Sequence, residues 1–315
     1  MKVLHQLFVA TASCLLAQAA LAASPDNYPE RTIRIVVPWA AGGFTDVLGR
    51  LLAEKMTKSM GQPVIVDNRP GASGSIGARQ VAQSAPDGYT LLLNTSDSTV
   101  KLLQEKSPDP AKDFTPITLI GTQPVVLAVG KHLPVTTLAQ FVARAKAAPG
   151  TVTFASSGEG SAVHLGMELL ASEAGIRLNH VPYKGMGPAL TDLLAGQVDS
   201  VLLSFQGSAG NFKNGKLTPL AVSSLKRSNV DPNLPTIAES GYPTFQLMLW
   251  YAMIGPKDLP APIVERLNRE IKAAIASPDI QARLTGAGTD PVGSSPQELA
   301  KFVDDEVAKW SKVIK

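Results

Sequence analysis

Cysteine is nearly absent from this chain: Cys14 is the single one in 315 residues. That excludes an intramolecular disulfide and a zinc site built on several thiolates. Charge of one sign is also lacking. The 29 Lys and Arg residues stand against 26 Asp and Glu, giving a formal net charge of +3. No segment is densely basic, so nucleic acid is not an expected partner. Beyond the first residues no apolar run is long enough to span a bilayer. There is no internal repeat, no low-complexity tract and no evident flexible linker.

The usual signatures of catalysis are missing too. No G-x-S-x-G elbow occurs, and no carboxylate pair stands out for general acid–base work. His132, His164 and His180 have no neighbour at metal-ligand spacing such as H-E-x-x-H, so no metal is expected. Neither a P-loop nor a G-x-G-x-x-G fingerprint follows any strand, so no nucleotide cofactor is expected.

What is present begins with an export signal. Lys2 precedes an apolar run from Leu7 to Leu21, and Ala20-Leu21-Ala22 fits a small-x-small cleavage site. Residues 1–22 therefore read as a signal peptide cleaved after Ala22. The run is short for a membrane anchor. A lipobox cysteine would end the apolar run, whereas apolar residues continue past Cys14. Removal of the segment takes the lone cysteine with it, leaving an exported soluble protein, periplasmic in a double-membraned bacterium.

The remainder alternates strand and helix patterns. "TIRIVVP" reads as a strand, and Thr45–Ser59 as a helix with Leu48, Leu51, Leu52 and Met56 on one face. "PVIVDN", "DGYTLLLN", "TVTFAS", "LNHVPY", "QVDSVLLS" and "LTPLAVSS" read as further strands, and "PITLIGTQPVVLAVG" as a long apolar extended stretch. Helices are predicted over Ser75–Gln83, Leu138–Ala147, Ala162–Ala174, the "GMGPALTDLLAG" run, Ile263–Ala276 and Pro296–Lys312. Ser295 is the expected N-cap of the last, with Glu298 at the capping-box position. This order argues an α/β fold with mainly parallel sheets. Two similar halves follow one another, and the C-terminal helices have no sheet of their own, so they should pack back on the first half. A chain that crosses twice without a flexible linker implies a hinge. The divisions expected are 23–125 plus 252–315 for one lobe and 126–251 for the other.

Three loops of small residues enter helices: Pro38–Asp46, Asn68–Gly77 and Ser156–His164. Glycines there let backbone N–H groups approach a ligand, and each helix start adds partial positive charge. Strand–loop–helix junctions are where open α/β sheets bind ligands. If the halves face one another, the loops offer donors to a shared cleft suited to an oxyanion, most simply a carboxylate. Each feature also has a plainer explanation. Asp46 near a helix start is commonly a dipole partner or cap. Ser161 and His164, three apart, are more often a cap and its hydrogen-bonding support than a nucleophile and base. Trp39, Phe44, Trp250 and Tyr251 sit at strand–loop boundaries, where Trp39 or Phe44 either joins the core or walls the cleft.

A series of blocks carries a resemblance over nearly the whole exported chain. They are "YPERTIRIVVPWAAGGFTDVLGRLL", "GQPVIVDNRPGASGSIGARQVAQSAPDGYTLL", "ASSGEGSAVHLGMELL", "HVPYKGMGPALTDLLAGQVD", "GKLTPLAVSSLKR", "PTIAESGYP" and "VAKWSKVIK". In this order they resemble the tripartite tricarboxylate transporter solute-binding proteins, also called the Bug or TctC family. The resemblance implies a type II-like Venus-flytrap fold of two α/β lobes, without enzymatic activity or cofactor. It implies capture of a small carboxylate outside the inner membrane and delivery to a permease of one large and one small subunit, by a monomeric receptor. By resemblance the ligand is held by backbone and hydroxyl groups from both lobes. In the first lobe this carries to Trp39, Ala41, Gly42, Gly43 and Asp46, with Phe44 adding an aromatic face, and to Ser96. In the second it carries to Ser157, Gly158, Gly160, Ser161 and His164, to Tyr183, Lys184 and Gly185, and to Ser204. Glu159 departs from the family pattern and is expected to face solvent. "LWYAMIGPKDLP" also departs, so an altered hinge or rim is expected there. The rival readings are a sensing protein serving a receptor kinase and an exported hydrolase using Ser161 or Ser75.

Overall fold

The first strand, β1 (Ile33–Val37), is a β-branched run buried at every position but Arg34. A strand covered on both faces reads this way. It leads through Pro38–Gly43 into α1 (Phe44–Met60), which buries Leu48, Leu52 and Met56 along one stripe. Gly61, at φ 73°, ends that helix by donating its N–H to the Thr57 carbonyl. The computed structural model describes residues 27–228 and 231–314; the predicted signal segment and Cys14 lie outside them. This first unit continues with β2 (Val64–Asn68), a 3-10 turn (Ala72–Gly74), α2 (Ser75–Ala82), β3 (Thr90–Thr95) and α3 (Ser96–Glu105). β1 lies between β2 and β3 and is parallel to both.

The next strand, β4 (Phe114–Gly130), changes partners along its length. From Phe114 to Pro124 it pairs antiparallel with β9 (Met248–Pro256). From Val125 onward it pairs antiparallel with β7 (Ser200–Ser204) and β8 (Leu217–Val222). Pro124 sits at the changeover; lacking an N–H, proline is tolerated where one ladder ends and another begins. Between β4 and β9 the chain builds α4 (Leu138–Ala147), β5 (Thr153–Ser156), α5 (Ala162–Ala174), β6 (Asn179–Pro182), α6 (Met186–Ala195) and α7 (Phe205–Lys213). β5 is parallel to β6 and β7. β9 then returns between β3 and β4, followed by α8 (Ala261–Ile275), α9 (Pro278–Gly286), β10 (Asp290–Pro291) and α10 (Pro296–Trp310).

The strand order β2-β1-β3-β9-β4-β7-β5-β6 is that of a two-lobed α/β binding-protein fold. Its sheets are mixed rather than mainly parallel. The parallel pairs lie within each βαβ half. The strands that carry the chain between halves run antiparallel to their neighbours, because one leaves as the other returns. The "LWYAMIGP" departure falls on β9, where the pairing with β3 is regular from Leu92–Ile254 to Thr95–Tyr251.

One core joins β1, α1, β3 and α8 through residues such as Leu52, Leu91 and Leu267. A second gathers Phe141, Leu170 and Leu202. The C-terminal helices do pack back on the first half: Ile263 and Ile271 enter the first core, and Leu299 and Val303 meet Val36 and Trp250. The end of α10 goes further, placing Trp310 in the second core. The buried Glu306 carboxylate accepts from the indole N–H groups of both Trp250 (3.2 Å) and Trp310 (3.1 Å). The capping box of Ser295 and Glu298 is formed.

α3, α7, α9 and β9 are not anticipated by sequence pattern. α3 begins Ser-Asp-Ser-Thr, a run of modest helix formers. It forms because Thr95 caps it and because Val100 and Leu102 each enter a different core. β9 is a continuous apolar run without alternation, which periodicity cannot assign.

Candidate functional site

The turn between β1 and α1 is built around one carboxylate. Asp46 is buried, and its oxygens accept from the Gly42 N–H (2.9 Å), Asn68 Nδ2 (2.9 Å) and Arg50 Nε (3.1 Å). The Arg50 guanidinium, with the Gly42 and Asn68 donors, holds the Asp46 carboxyl down at about 2. Asp46 thus acts as a tie that folds the loop over the start of its helix. Asn68 adds a second tie, donating to the Trp39 carbonyl at 3.1 Å. Gly42 adopts φ 89°, which favours glycine. Gly43 is the N-cap with no side-chain acceptor for the first N–H groups of α1. Ala41, Gly42 and Gly43 are exposed. The α1 start is therefore a set of orphan donors open to solvent, the arrangement that binds anions.

The aromatics beside this turn lean inward. Trp39 and Phe44 both pack against the first core while remaining half-buried. The Phe44 ring centroid lies 5.1 Å from that of Tyr251, and the Arg283 guanidinium carbon lies over the Phe44 ring, 6.0 Å from its centroid.

In the second half, two loops are knitted into one surface. Tyr183 N–H donates to the Ser156 carbonyl (3.2 Å) and Gly185 N–H to the Ser157 carbonyl (3.1 Å). This brings Ser157, Gly158, Tyr183, Lys184 and Gly185 together. Gly185 is the N-cap of α6, again with no side-chain cap. The other helix starts nearby are occupied. Ser161 accepts from the His164 N–H, Thr95 from Ser98 and Ser204 from Gly207. The Ala162 N–H donates across to Asp97 Oδ1 at 2.8 Å. The α2 start at Gly74 also lacks a side-chain cap, but Gly74 is buried against Ser98 and Pro38. Among the predicted loops, the uncapped starts that are not buried are therefore Gly43 in the first lobe and Gly185 in the second.

Several predicted residues serve the frame. His164 Nδ1 accepts from the Gly160 N–H at 2.9 Å, so its ring is neutral with the proton on Nε2. Its ring stacks on His180 at 3.7 Å, and His180 stacks on Phe154 at 4.8 Å. Burial, then the neighbouring His164, brings His180 down to about 4; burial also lowers His164. His180 hydrogen-bonds the fully buried Ser156 at 2.7 Å. The Tyr183 hydroxyl donates to Asp192 (2.7 Å), and burial with this bond raises the phenol to about 12. Ser204 accepts from Gln123 (2.9 Å), which also donates to the Ala287 carbonyl (2.6 Å) at the end of α9. Ser204 is therefore placed where the lobes meet. Ser96 is buried at the first position of α3, and Glu159 is exposed as expected.

Sequence reading missed Asn68 as a tie, Asp97 and Gln123 as contacts between the halves, and His180 as part of a stack. Only Asn68 left a trace: it ends the strand beside β1, in register with Val37. Asp97 and Gln123 meet partners more than 60 positions away, a distance along the chain that spacing does not encode, and His180 meets Phe154, Ser156 and His164 only once β5, β6 and α5 are packed.

A family model described as the tripartite tricarboxylate transporter family receptor matches residues 48–315. Protein BugT of Bordetella pertussis is 38% identical over 313 residues, covering 98% of this chain and 94% of that one. Among solved structures, an R. palustris protein with adipate is 36% identical with a TM-score of 0.77, covering 91% of this chain and 97% of that chain. MatC from Rhodopseudomonas palustris with bound malate is 33% identical with a TM-score of 0.78, covering 91% of this chain and all of that chain.

Proposed function

The chain belongs to the tripartite tricarboxylate transporter receptor family, and from that premise we propose that it captures a small carboxylate between its lobes for a two-subunit membrane permease. One observation carries the placement of the ligand. Of the helix starts in the predicted loops, those at Gly43, Gly74 and Gly185 have no side-chain cap; Gly74 is buried, which leaves Gly43 and Gly185 accessible, one on each lobe. An ionised oxygen at each would complete the donors that the protein itself leaves open. Hydrogen bonds to a charged acceptor contribute about 1.5–3 kcal/mol each. A few of them in a closed cleft reach micromolar affinity, about −8 kcal/mol, without a buried cation. That relatives were solved with malate and with adipate supports a carboxylate.

The binding loops act without turnover. Ser161 Oγ is engaged as a cap and Ser75 is fully buried, so neither presents a nucleophile to a substrate. We take the lobes as 23–125 with 252–315 and 126–251. β4 and β9 are the hinge on which closure buries the ligand and creates the face a permease recognises. The receptor works as a monomer in the periplasm after cleavage near Ala22. A sensing role with a receptor kinase would use the same site and finds no separate support in the geometry. Isothermal titration with malate and adipate as first probes tests the reading. Saturable binding at one site supports it; heats indistinguishable from dilution, for these and for monocarboxylates alike, refute it.

A further inference from the structure

The second lobe contains a cavity of about 250 Å³ that the hydrogen-bonding loops do not explain. It lies at the carboxyl end of β7 and beneath the first turns of three helices. Val163 of α5, Met186 and Leu190 of α6, Ser208 of α7, Leu202 of β7 and Leu249 of β9 line it. Its only polar side chains are Ser204 and Ser208, and no charged residue lines it. Its position follows from the same loops that carry the candidate site. Val163 comes two residues after Ser161, and Met186 directly follows the uncapped Gly185.

We infer that this cavity is a specificity pocket for the body of the ligand, and that the ligand is a monocarboxylic acid with an apolar body of about six carbons. The inference rests on the reading that the loops hold a carboxylate. With that group at the loops, the rest of the molecule enters the cavity. Size admits it, since an apolar cavity of about 150 Å³ suffices for benzene. Chemistry restricts it: a second carboxylate pushed among Val163, Leu190, Leu202 and Leu249 would be desolvated with no cation to pair it. The pocket therefore discriminates against dicarboxylates such as those found with the two R. palustris proteins.

The test compares acids that differ only at the far end. Hexanoate and adipate share a chain length; benzoate and terephthalate share a ring. Isothermal titration of the wild-type protein should give at least tenfold tighter binding for hexanoate than for adipate, and for benzoate than for terephthalate. Leu190 is half-buried at the wall, so Leu190→Lys should fold and place an ammonium in the pocket. It should narrow or reverse the preference for hexanoate over adipate. Adipate binding as tightly as hexanoate to the wild type, or an unchanged preference in a folded Leu190→Lys protein, overturns the pocket assignment and leaves carboxylate capture standing. Failure of all four acids and of malate overturns both.

Discussion

Asp97, at the start of α3, accepts a hydrogen bond of 2.8 Å from the Ala162 backbone N–H at the start of α5. A carboxylate from one half of the molecule thereby fills a helix start on the other. Burial pushes this carboxyl above its ordinary range, and the Ala162 N–H only partly opposes that. The ionised form is thus a cost to the folded state at neutral pH. Asp97→Asn keeps an acceptor and removes the charge, so it should be as stable as wild type or more so at pH 7. Its advantage should shrink as the pH falls and the wild-type carboxyl protonates. Asp97→Ala leaves the N–H orphaned and should cost about 1–3 kcal/mol. Urea unfolding of the three proteins at pH 5 and 8 checks both signs.

Gly42 and Gly43 are adjacent but not equivalent. Gly42 sits at φ 89°, so Gly42→Ala forces a side chain into the left-handed region at a cost of about 1–2 kcal/mol. Gly43 has φ −75° and its nearest neighbour to an added Cβ is the Ala40 carbonyl at 3.7 Å. Gly43→Ala should leave stability unchanged or raise it by up to about 1 kcal/mol. Thermal unfolding without ligand separates the two.

Glu306 bridges two indoles that belong to different cores, Trp250 and Trp310. Glu306→Leu would strand both buried N–H groups, each costing about 1–3 kcal/mol. A loss of about 2–5 kcal/mol in chemical denaturation is expected, with a smaller loss for Glu306→Gln, which keeps an acceptor.

The stacked pair His164 and His180 sets an acid limit. Both are held below their ordinary values by burial, His180 at about 4. A histidine depressed on folding takes its proton first in the unfolded chain. Stability is therefore full above about pH 6.5, falls as the pH drops and levels off below about 4. Glu168, 3.9 Å from His164 Nε2, and Glu159 soften the effect without removing it. His180→Phe keeps a ring for stacking and removes one titration, so its melting temperature should fall less steeply between pH 6.5 and 4.5.

Much of this molecule is legible in its sequence. Periodicity locates α4 and α5 at their observed bounds, and the glycine loop Pro38–Asp46 marks the open start of α1, whereas Gly185 at the start of α6 is reached only through the family resemblance. What escapes is what depends on the halves meeting. α3 looks like a polar loop because its helix is fixed by Val100 and Leu102 entering separate cores. The antiparallel crossing of β4 and β9 follows from a return path about 120 residues long, which no local pattern records. Within the site, the residue types point to donors for an anion. Which donors remain open is decided by caps at Ser161 and Thr95 and by the reach of Asp97.

The most direct test of carboxylate capture between the lobes is thermal unfolding of wild type and Gly43→Val against a panel of small mono-, di- and tricarboxylates. An added Cβ at Gly43 meets only the Ala40 carbonyl, in ordinary contact at 3.7 Å, and its backbone at φ −75° suits any residue, so Gly43→Val should fold with bulk set at the α1 start. At about a hundred times its dissociation constant, a bound acid should stabilise the wild type by about 2.7 kcal/mol. Gly43→Val should melt with the unliganded wild type and show no such gain. An equal gain in the variant, or no gain in the wild type with any acid, would contradict the account.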